Sequence, residues 1–518
     1  MWRLAAILLA IGAPAMAQDF DQAVRELLGD DPARYRAAIQ GFQDAVRAGN
    51  GKAASAFVTY PIEVEVGGNS RIVRDAADFA AHFDEIVTPE VASRIQDEPI
   101  AGMSVSYQGV MLGQGEVWVS GVCLNVMCAG PAIRVVAIQS PVEALPPAVG
   151  TVKAFHNACL HRGTQLKPPA TAGYSPKLRC PFHGWTWNLD GELIDLPCEW
   201  DFPHVDTDEY ALPQLRTGRW GGFIFVNFDD CDPELQAPPL EEYLGVLPEH
   251  FANWNLEDRY VEVHIRKRLP ANWKASADAF LEAYHILETH SQSIYTAGDA
   301  NAQYDVFGDN VSRFIHTIGT TSPHVPEAKR PDEQGILDML MSRKNPGQDV
   351  PPIPDGERAR DVYARYMQEV LGEQYDNDFT HLSVAETIDS IEYFLFPNSF
   401  FFPGLQIPLC YRFRPDGPDP DRCLYEVLYL RPKPRSGKVP LPAEPVDLDV
   451  NDSYTTVPGL PTSLGAVLDQ DTANLSAQTR GFKASKKRGQ TLGNYQEVRA
   501  RHFQSMVRRY ITEGANRT

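Results

Sequence analysis

An α+β chain of several domains is what this sequence predicts, and three observations carry that expectation. Helical hydrophobic spacing near the N-terminus gives way to alternating apolar runs, which is a helix-then-sheet pattern. A middle stretch sets short strand-like runs and glycine turns around two cysteine–histidine pairs. The C-terminal half carries two further alternating runs, Ile391 to Pro403 and Leu424 to Leu430, which read as strands of one antiparallel sheet. At 518 residues the chain is too long for a single hydrophobic core, so two or three domains are expected.

Residues 1–17 read as a secretory signal peptide: Met-Trp-Arg, the apolar run Leu4 to Ile11, then Ala15-Met16-Ala17 before Gln18. The run is too short to span a bilayer, and no later stretch is long and apolar enough to do so. Segment 18–140 is expected to be an exported α+β domain. Phe20, Val24, Leu27 and Leu28, then Tyr35, Ile39, Phe42 and Val46, keep helical spacing up to Gly49 and Gly51. Strand-like runs follow at Ile62 to Val66, Glu116 to Ser120 and Ile133 to Ile138. This order resembles the nuclear-transport-factor-two-like domains. Asp19, Asp21, Asp75, Asp78 and His82 are scattered through it without a catalytic spacing.

Prolines mark 141–150 as a linker. The module after it, expected over 141–245, has a strand at Thr151 to Phe155, a strand after Trp185, a hairpin turn at Asp190-Gly191 and a buried strand at Gly222 to Asn227. Within it stand Cys159-Leu-His161 and Cys180-Pro-Phe-His183, either side of an eighteen-residue loop. Two thiolates and two imidazoles at this spacing can hold a two-iron, two-sulfur cluster, cysteines on one iron and histidines on the other. Zinc accepts the same donors, so the flanking residues decide. The text CLHRG…CPFHGW closely resembles the Rieske box of the ring-hydroxylating oxygenases. Cys159, His161, Cys180 and His183 are thereby the expected cluster ligands. Members of that family carry several strands before the first ligand loop, and this chain has only a short lead-in. Either residues of 116–150 supply those strands, or an exported segment is joined to a truncated Rieske domain, the reading preferred because the leader and the oxygenase imply different compartments.

Downstream, Asn272-Trp273-Lys274 leads into a helix-spaced stretch bearing Asp278, Glu282, His285, Glu288 and His290. Two histidines and a distant carboxylate with open coordination positions form the facial triad of non-heme ferrous oxygenases. Five residues apart, His285 and His290 lie about 140° apart on a regular helix. A π-bulge or a break near Leu287 is therefore expected. The pattern N-W-K…E-x2-H-x4-H resembles the iron-binding helix of the oxygenase α subunits. That resemblance puts Glu282 where the family has an acid bridging the two redox centres, with Asp278 and Glu288 as local competitors. It also implies a late carboxylate ligand. Asp471 fits best because Asn474 follows three residues later, while Asp469 stays open, and either could instead cap a helix beginning near Thr472.

The resemblance covers about 150–518 and implies a Rieske domain followed, over 246–518, by a helix-grip catalytic domain, an antiparallel sheet around a long helix. One 2Fe-2S cluster, one mononuclear Fe(II), a ferredoxin or flavin reductase as electron donor, and a homotrimer or α3β3 assembly are implied with it. Dioxygen-dependent hydroxylation, foremost dihydroxylation, of an aromatic or hydrophobic compound is the implied activity. A Rieske monooxygenase or demethylase is the alternative, as is an electron-transfer or exported binding protein whose oxygenase part is idle. Phe280, Tyr284, Ile294, Phe307, Met339, Phe396 and Phe401 are candidates to line the substrate pocket. Helical runs at 334–343 and 357–372 are expected over its mouth, with the Pro/Gly-rich 345–356 as a lid. Cys123 and Cys128 stand close enough for a disulfide in an exported segment, whereas Cys198, Cys231, Cys410 and Cys423 look like core thiols. Lys+Arg 47 against Asp+Glu 68, a net charge of −21, argues against nucleic acid or an anionic membrane as partner. The oxygenase part implies a cytoplasmic setting and the leader implies export, and the sequence leaves the two side by side.

Overall fold

Alternation of apolar and polar residues becomes sheet wherever one face can be buried. Strands β1 (Ile62–Val66), β2 (Asn69–Val73), β3 (Ser104–Ser106), β4 (Gly109–Leu112), β5 (Val117–Val122) and β6 (Ala132–Ile138) form one six-stranded sheet in the order β2-β1-β6-β5-β4-β3. The computed structural model describes residues 20–66, 69–106, 109–113, 116–122, 131–138, 151–168, 175, 177–228, 238–298, 302–344, 349–435 and 439–515. The expected leader, Cys123, Cys128, the 141–150 linker and Cys231 lie outside them. Two compact units result, one ending at Thr217 and one beginning at Gly218.

In the first unit the helix Pro32–Arg47 covers the six-stranded sheet. Asp31 caps it by accepting from the Ala33 N–H, proline occupies its first turn, and Tyr35, Ile39, Phe42 and Val46 are buried in one core with Val64, Val110, Val119 and Val135. Asp78 and His82, unremarkable in the sequence, meet Arg71: its guanidinium lies 3.0 Å from Asp78 Oδ1, and His82 Nδ1 lies 3.2 Å from the same oxygen. β5 and β6 pair with each other, and they join β4 and β1 respectively. They are thus spent in this sheet. Among the described residues, the strand ahead of the first ligand loop is β7 (Ala154–Phe155) alone, paired with Gln214 and Leu215 of β11 (Gln214–Trp220). β8 (Lys177–Arg179), β9 (Thr186–Asn188) and β10 (Leu193–Asp195) make a second small sheet around a separate core of Cys159, Cys180, Trp185 and Trp187. Cys198 departs from the expectation of a core thiol: it is exposed, at φ 58° on the turn entering Glu199–Asp201.

The second unit begins with β12 (Phe223–Asn227), whose Phe223 and Phe225 are buried in its core. Its eight-stranded sheet contains β13 (Arg259–Leu269), β14 (Gln303–Phe307), β15 (Val311–His316), β16 (Ser390–Leu395), β17 (Ser399–Phe401), β18 (Leu409–Pro415), β19 (Cys423–Pro432) and β20 (Pro445–Leu448). They run in the order β14-β15-β16-β17-β18-β19-β13-β20, and all pairs are antiparallel except β13 with β20. Period-two alternation splits the strands between two faces. Phe394, Phe396, Phe400, Tyr411, Phe413 and Tyr425 meet the helices Thr462–Ala484 and Val498–Ala515. Tyr393, Leu395, Phe401, Leu428 and Leu430 meet Glu333–Lys344 and Ala359–Tyr375. Those last two helices were expected over the pocket mouth. They instead complete the core on the other face, because Ile336, Leu337, Leu340, Tyr363 and Met367 need an apolar partner. Cys410 and Cys423 are buried in the sheet.

The gripped helix is Val498–Ala515. Its Arg499 is fully buried and donates from Nη1 to Glu392 Oε1 (2.9 Å) on β16 and to the Leu281 carbonyl (3.3 Å), and from Nε to Ser312 Oγ (3.1 Å) on β15. Tyr411 donates to the other oxygen of Glu392 at 2.5 Å. Both carboxylate oxygens of Glu392 are thereby filled, which offsets part of the pair's desolvation, while Arg499 Nη2 is buried with no hydrogen-bond partner.

Candidate metal centres

The two ligand loops of the first unit are built alike. Cys159 N–H donates to Thr164 O and Gly163 N–H to Cys159 O, both at 2.8 Å; Cys180 N–H donates to Trp185 O at 2.8 Å and Gly184 N–H to Cys180 O at 3.2 Å. Gly163 and Gly184 take φ values of 76° and 80°, a left-handed backbone that a side chain would strain. Each loop thereby folds back over its cysteine. The His161 and His183 rings lie 4.6 Å apart, and His161 stacks on Trp185 at 5.1 Å with 4° between planes. Asn157 Oδ1 accepts from Leu166 N–H and Lys167 N–H, which braces the first loop. Burial raises the Cys159 thiol, and the neighbouring Cys180 thiol raises it further. His161 Nδ1 is buried with no hydrogen-bond partner. Two buried sulfurs and an orphaned imidazole nitrogen are the donor set that an iron–sulfur cluster completes.

In the second unit, Asn272 caps the helix Trp273–Asp278 by accepting from Lys274 N–H at 3.0 Å. The helix then stops. Tyr304 Oη accepts from Ala283 N–H at 3.0 Å, and only a four-residue helix, Ile286–Thr289, follows. The expected irregularity at Leu287 is therefore displaced. Leu287 is helical, and the breaks flank it: His285 is the N-cap, and His290 leaves the helix as its C-cap at φ −119°. With both histidines at the ends of one short turn, their rings come within 5.3 Å.

Asp471, on the helix Thr462–Ala484, completes the group. One ligand atom from each of His285, His290 and Asp471 lies within 4.8 Å of the others. Asp471 Oδ1 is 2.7 Å from His290 Nε2 and 3.6 Å from His285 Nε2. The Nδ1 atoms point outward, to Glu282 Oε1 from His285 (2.8 Å) and to Gln470 Oε1 from His290 (2.9 Å). Where Nδ1 donates to those acceptors, each Nε2 is the nitrogen that a metal on the Asp471 side would take. Burial works to lower the His285 imidazolium, but the Glu282 carboxylate on it, then Asp471 and Glu392, raise its pKa above the ordinary value. Three inward donors on one side are the set a ferrous ion takes in a facial triad.

Asp469 turns away. Two residues along a helix is about 200° of rotation, and its carboxylate accepts from the Ser453 hydroxyl and the Tyr454 N–H. Of the three local acids, Glu282 alone reaches His285, accepting also from the His285 N–H at 2.9 Å. Asp278 is buried and pushed up to about 7 by that burial, although Gln504 donates to it; Glu288 is exposed. Asn474 donates to Thr289 Oγ1 at 3.2 Å and ties the two segments that carry the candidate ligands together. Gln470 was missed by the sequence reading; its adjacency to Asp471 was the available signal.

A cavity of about 210 Å³ opens beside these ligands, lined among others by Phe280, Glu282, His285, Asp471, Asn474 and Gln478. Of the seven apolar candidates only Phe280 lines it. Phe307 and Phe401 pack with the opposite core, Phe396 stacks on Tyr510, Tyr284 and Met339 are exposed, and Ile294 is half-buried elsewhere. Strand alternation sends neighbouring aromatics to opposite faces, which composition cannot foresee.

Residues 249–513, just over half of the chain, match the family of ring-hydroxylating α subunits (catalytic domain), and residues 113–207 match the Rieske [2Fe-2S] domain. The chain belongs to the ring-hydroxylating α-subunit family. The Rieske domain of these α subunits binds a 2Fe-2S cluster, and their catalytic domain binds a mononuclear iron. The Rieske match starts inside the N-terminal sheet, but the hydrogen-bond register assigns β5 and β6 to that sheet. Among similar α subunits are the glycine betaine monooxygenase oxygenase subunit of Pseudomonas aeruginosa (31% identical over 180 residues, 34% of this chain and 40% of that one) and the carnitine monooxygenase oxygenase subunit of Escherichia coli (34% over 143 residues; 27% and 36%). The large oxygenase component of the naphthalene 1,2-dioxygenase system of Pseudomonas putida is 34% identical over 157 residues (28% and 32%). The chain thus spans two fifths of the length of the first relative and about a third of the other two. Similar solved structures include the quaternary ammonium Rieske monooxygenase CntA in complex with an inhibitor (TM-score 0.44, 16% identity, 70% of this chain and 79% of that one) and naphthalene 1,2-dioxygenase with indole bound (TM-score 0.40, 18%, 69% and 78%).

Proposed function

We propose that this α subunit is an oxygenase that takes electrons from a ferredoxin or flavin reductase and hydroxylates a small organic substrate with dioxygen. The observation that carries this is the inward-facing set of His285, His290 and Asp471 in a chain that also bears the Rieske ligands. When bound, the mononuclear iron activates dioxygen and the cluster supplies an electron. The chain's own residues prepare the site. Glu282 and Gln470 contact each Nδ1 and orient the two rings, and Asn474 holds the His290 turn against the Asp471 helix. Glu282 has a second role in this reading. As in the family it resembles, it links His285 to a cluster histidine of a neighbouring copy, which calls for a ring assembly such as a homotrimer or α3β3.

The cavity wall favours monooxygenation over aromatic dihydroxylation. Glu282, Asp278 and Glu497 stand in it with Asn474, Gln478 and Gln490, a lining suited to a polar or cationic N-methyl compound such as the substrates named for the betaine and carnitine enzymes. Phe280, Leu475 and Leu492 form the apolar part and support the second reading, dihydroxylation of a ring. The test is oxygen uptake by the full-length enzyme with a supplied reductase. Glycine betaine, carnitine and naphthalene are offered in turn, and formaldehyde and cis-diol are assayed. Formaldehyde matched to oxygen consumed supports N-methyl hydroxylation, a diol supports the ring reading, and a chain with full iron content that never couples oxygen to any product overturns both.

A further inference from the structure

Residues 279–285, which carry Glu282 and lead into His285, lie between the helices Trp273–Asp278 and Ile286–Thr289. Leu281 and Ala283 are buried, so their backbone groups must find partners inside the protein. In an unbroken helix the Ala283 N–H donates to the carbonyl four residues earlier, that of Ala279. Here it donates instead to Tyr304 Oη at 3.0 Å. The Leu281 carbonyl accepts from Arg499 Nη1 at 3.3 Å, and the His285 N–H donates to the Glu282 carboxylate at 2.9 Å. Side chains thus fill the break, two of them from elsewhere in the chain.

Tyr304 is itself fixed in place. It sits on β14, opposite Phe314 of β15, and its ring packs in a small core with Ala283, Ala302 and Phe314, edge-on to Tyr495 at 5.4 Å. Its Oη donates to Gln496 Oε1 at 3.2 Å. Burial pushes the phenol up to about 12, so at neutral pH it keeps the single proton that goes to Gln496 and offers a lone pair to Ala283. Gln496 stands just ahead of the helix Val498–Ala515, whose Arg499 makes the tether to Leu281.

We propose that Tyr304 is a positioning residue of the mononuclear iron site: its hydroxyl takes the place of the Ala279 carbonyl, holds residues 279–285 out of the helix and so aims Glu282 and His285. Each helical residue turns the chain by about 100°, so a helix running on through 283–285 carries both side chains off the Asp471 side. The inference rests on the reading of His285, His290 and Asp471 as the iron ligands.

The test is Fe(II) affinity of the full-length, cluster-loaded protein by chelator competition, with EPR of the ferrous site's nitric oxide adduct. Tyr304→Phe keeps the packed ring and removes the hydroxyl. It should lower Fe(II) affinity by roughly 10- to 100-fold and change the shape of the nitric oxide signal, with the Rieske EPR signal unchanged. Tyr495→Phe removes a neighbouring hydroxyl that bonds the Ala302 carbonyl at 3.0 Å, and should leave affinity and signal at wild type. Should Tyr304→Phe fail to fold, Gln496→Leu, which takes away the acceptor of the Tyr304 hydroxyl, should show a smaller loss in the same direction. Wild-type affinity and signal in Tyr304→Phe, or equal losses in the two tyrosine variants, overturn the positioning role. Wild-type protein that holds the cluster irons and takes up no further Fe(II) overturns the ligand reading itself, and the inference with it.

Discussion

His290 Nε2 lies 2.7 Å from Asp471 Oδ1, across 181 residues of sequence. The contact joins the end of a four-residue helix to the middle of a 23-residue one. Gln470, the neighbour of Asp471, holds the other nitrogen of the same ring at 2.9 Å. One helix thus supplies both a candidate ligand and the group that orients its partner.

Asp471→Ala should remove the mononuclear iron and leave the cluster, so that iron falls from about three to about two per chain with the Rieske EPR signal intact. Asp469→Ala should keep all the iron and cost about 1 kcal/mol of stability, because it only removes the acceptor for the Ser453 hydroxyl and Tyr454 N–H. Metal analysis of the two variants side by side decides; the reverse pattern would mean that the wrong aspartate has been assigned.

Gln470→Leu should weaken iron binding by roughly 10- to 100-fold, since Nδ1 of His290 loses its acceptor and the ring its fixed tautomer. Competition with a chelator measures this. Unchanged affinity would show that packing alone orients the imidazole.

Glu282→Gln should retain both metal centres and slow oxidation of the reduced cluster in a single turnover by about 100-fold or more, with substrate affinity little changed. Stopped-flow absorbance of the cluster is the readout. A variant that loses iron, or one whose cluster oxidises at the wild-type rate, would remove Glu282 from the electron path.

Trp185→Ala should destabilise the first unit by about 3–5 kcal/mol and alter the cluster's EPR g-values, because the indole is 2% exposed and stacks flat on His161. Thermal melting and EPR of the reduced protein test this together, and wild-type behaviour in both would contradict it.

Glu426 sets an acid limit on the catalytic unit. Burial opposes its ionisation, but His264 Nε2 at 3.0 Å and Arg412 Nε at 2.6 Å outweigh that and pull its pKa down to about 2. A carboxyl whose folded pKa lies below its unfolded one, about 4.5, stabilises fully above pH 4.5 and loses that contribution as pH falls towards 2. Glu426→Gln should therefore cost on the order of 2–3 kcal/mol at pH 7, with the difference from wild type shrinking across that acid window. Denaturant unfolding at pH 7 and pH 3 measures it, and a pH-independent difference would mean the loss is steric.

Local features were legible where the chemistry is local. Cys159, His161, Cys180 and His183 stand out because each ligand pair sits in one tight loop, and the glycines that turn those loops are beside them in the sequence. The N-terminal helix with Tyr35, Ile39, Phe42 and Val46 on one face was equally readable. The pocket was not. Phe396 and Phe401 look equivalent in a string of aromatics, yet one packs with the iron-side core and the other with the opposite one. Nor does anything in the sequence mark Arg499, one basic residue among many, as the fully buried partner of Glu392.

The sequence by itself determined the candidate donor residues and the family, because ligand type and spacing follow from the chemistry of the metals. The tertiary structure decided the rest. It set Asp471 rather than Asp469 beside the two histidines by about 200° of helix rotation, placed the helix breaks on either side of Leu287, and sent the helices at 333–344 and 359–375 to the far face of the sheet. Each of those outcomes depends on which side of a helix or strand finds an apolar partner distant in the chain, and that energy exists only once both faces of the sheet are covered.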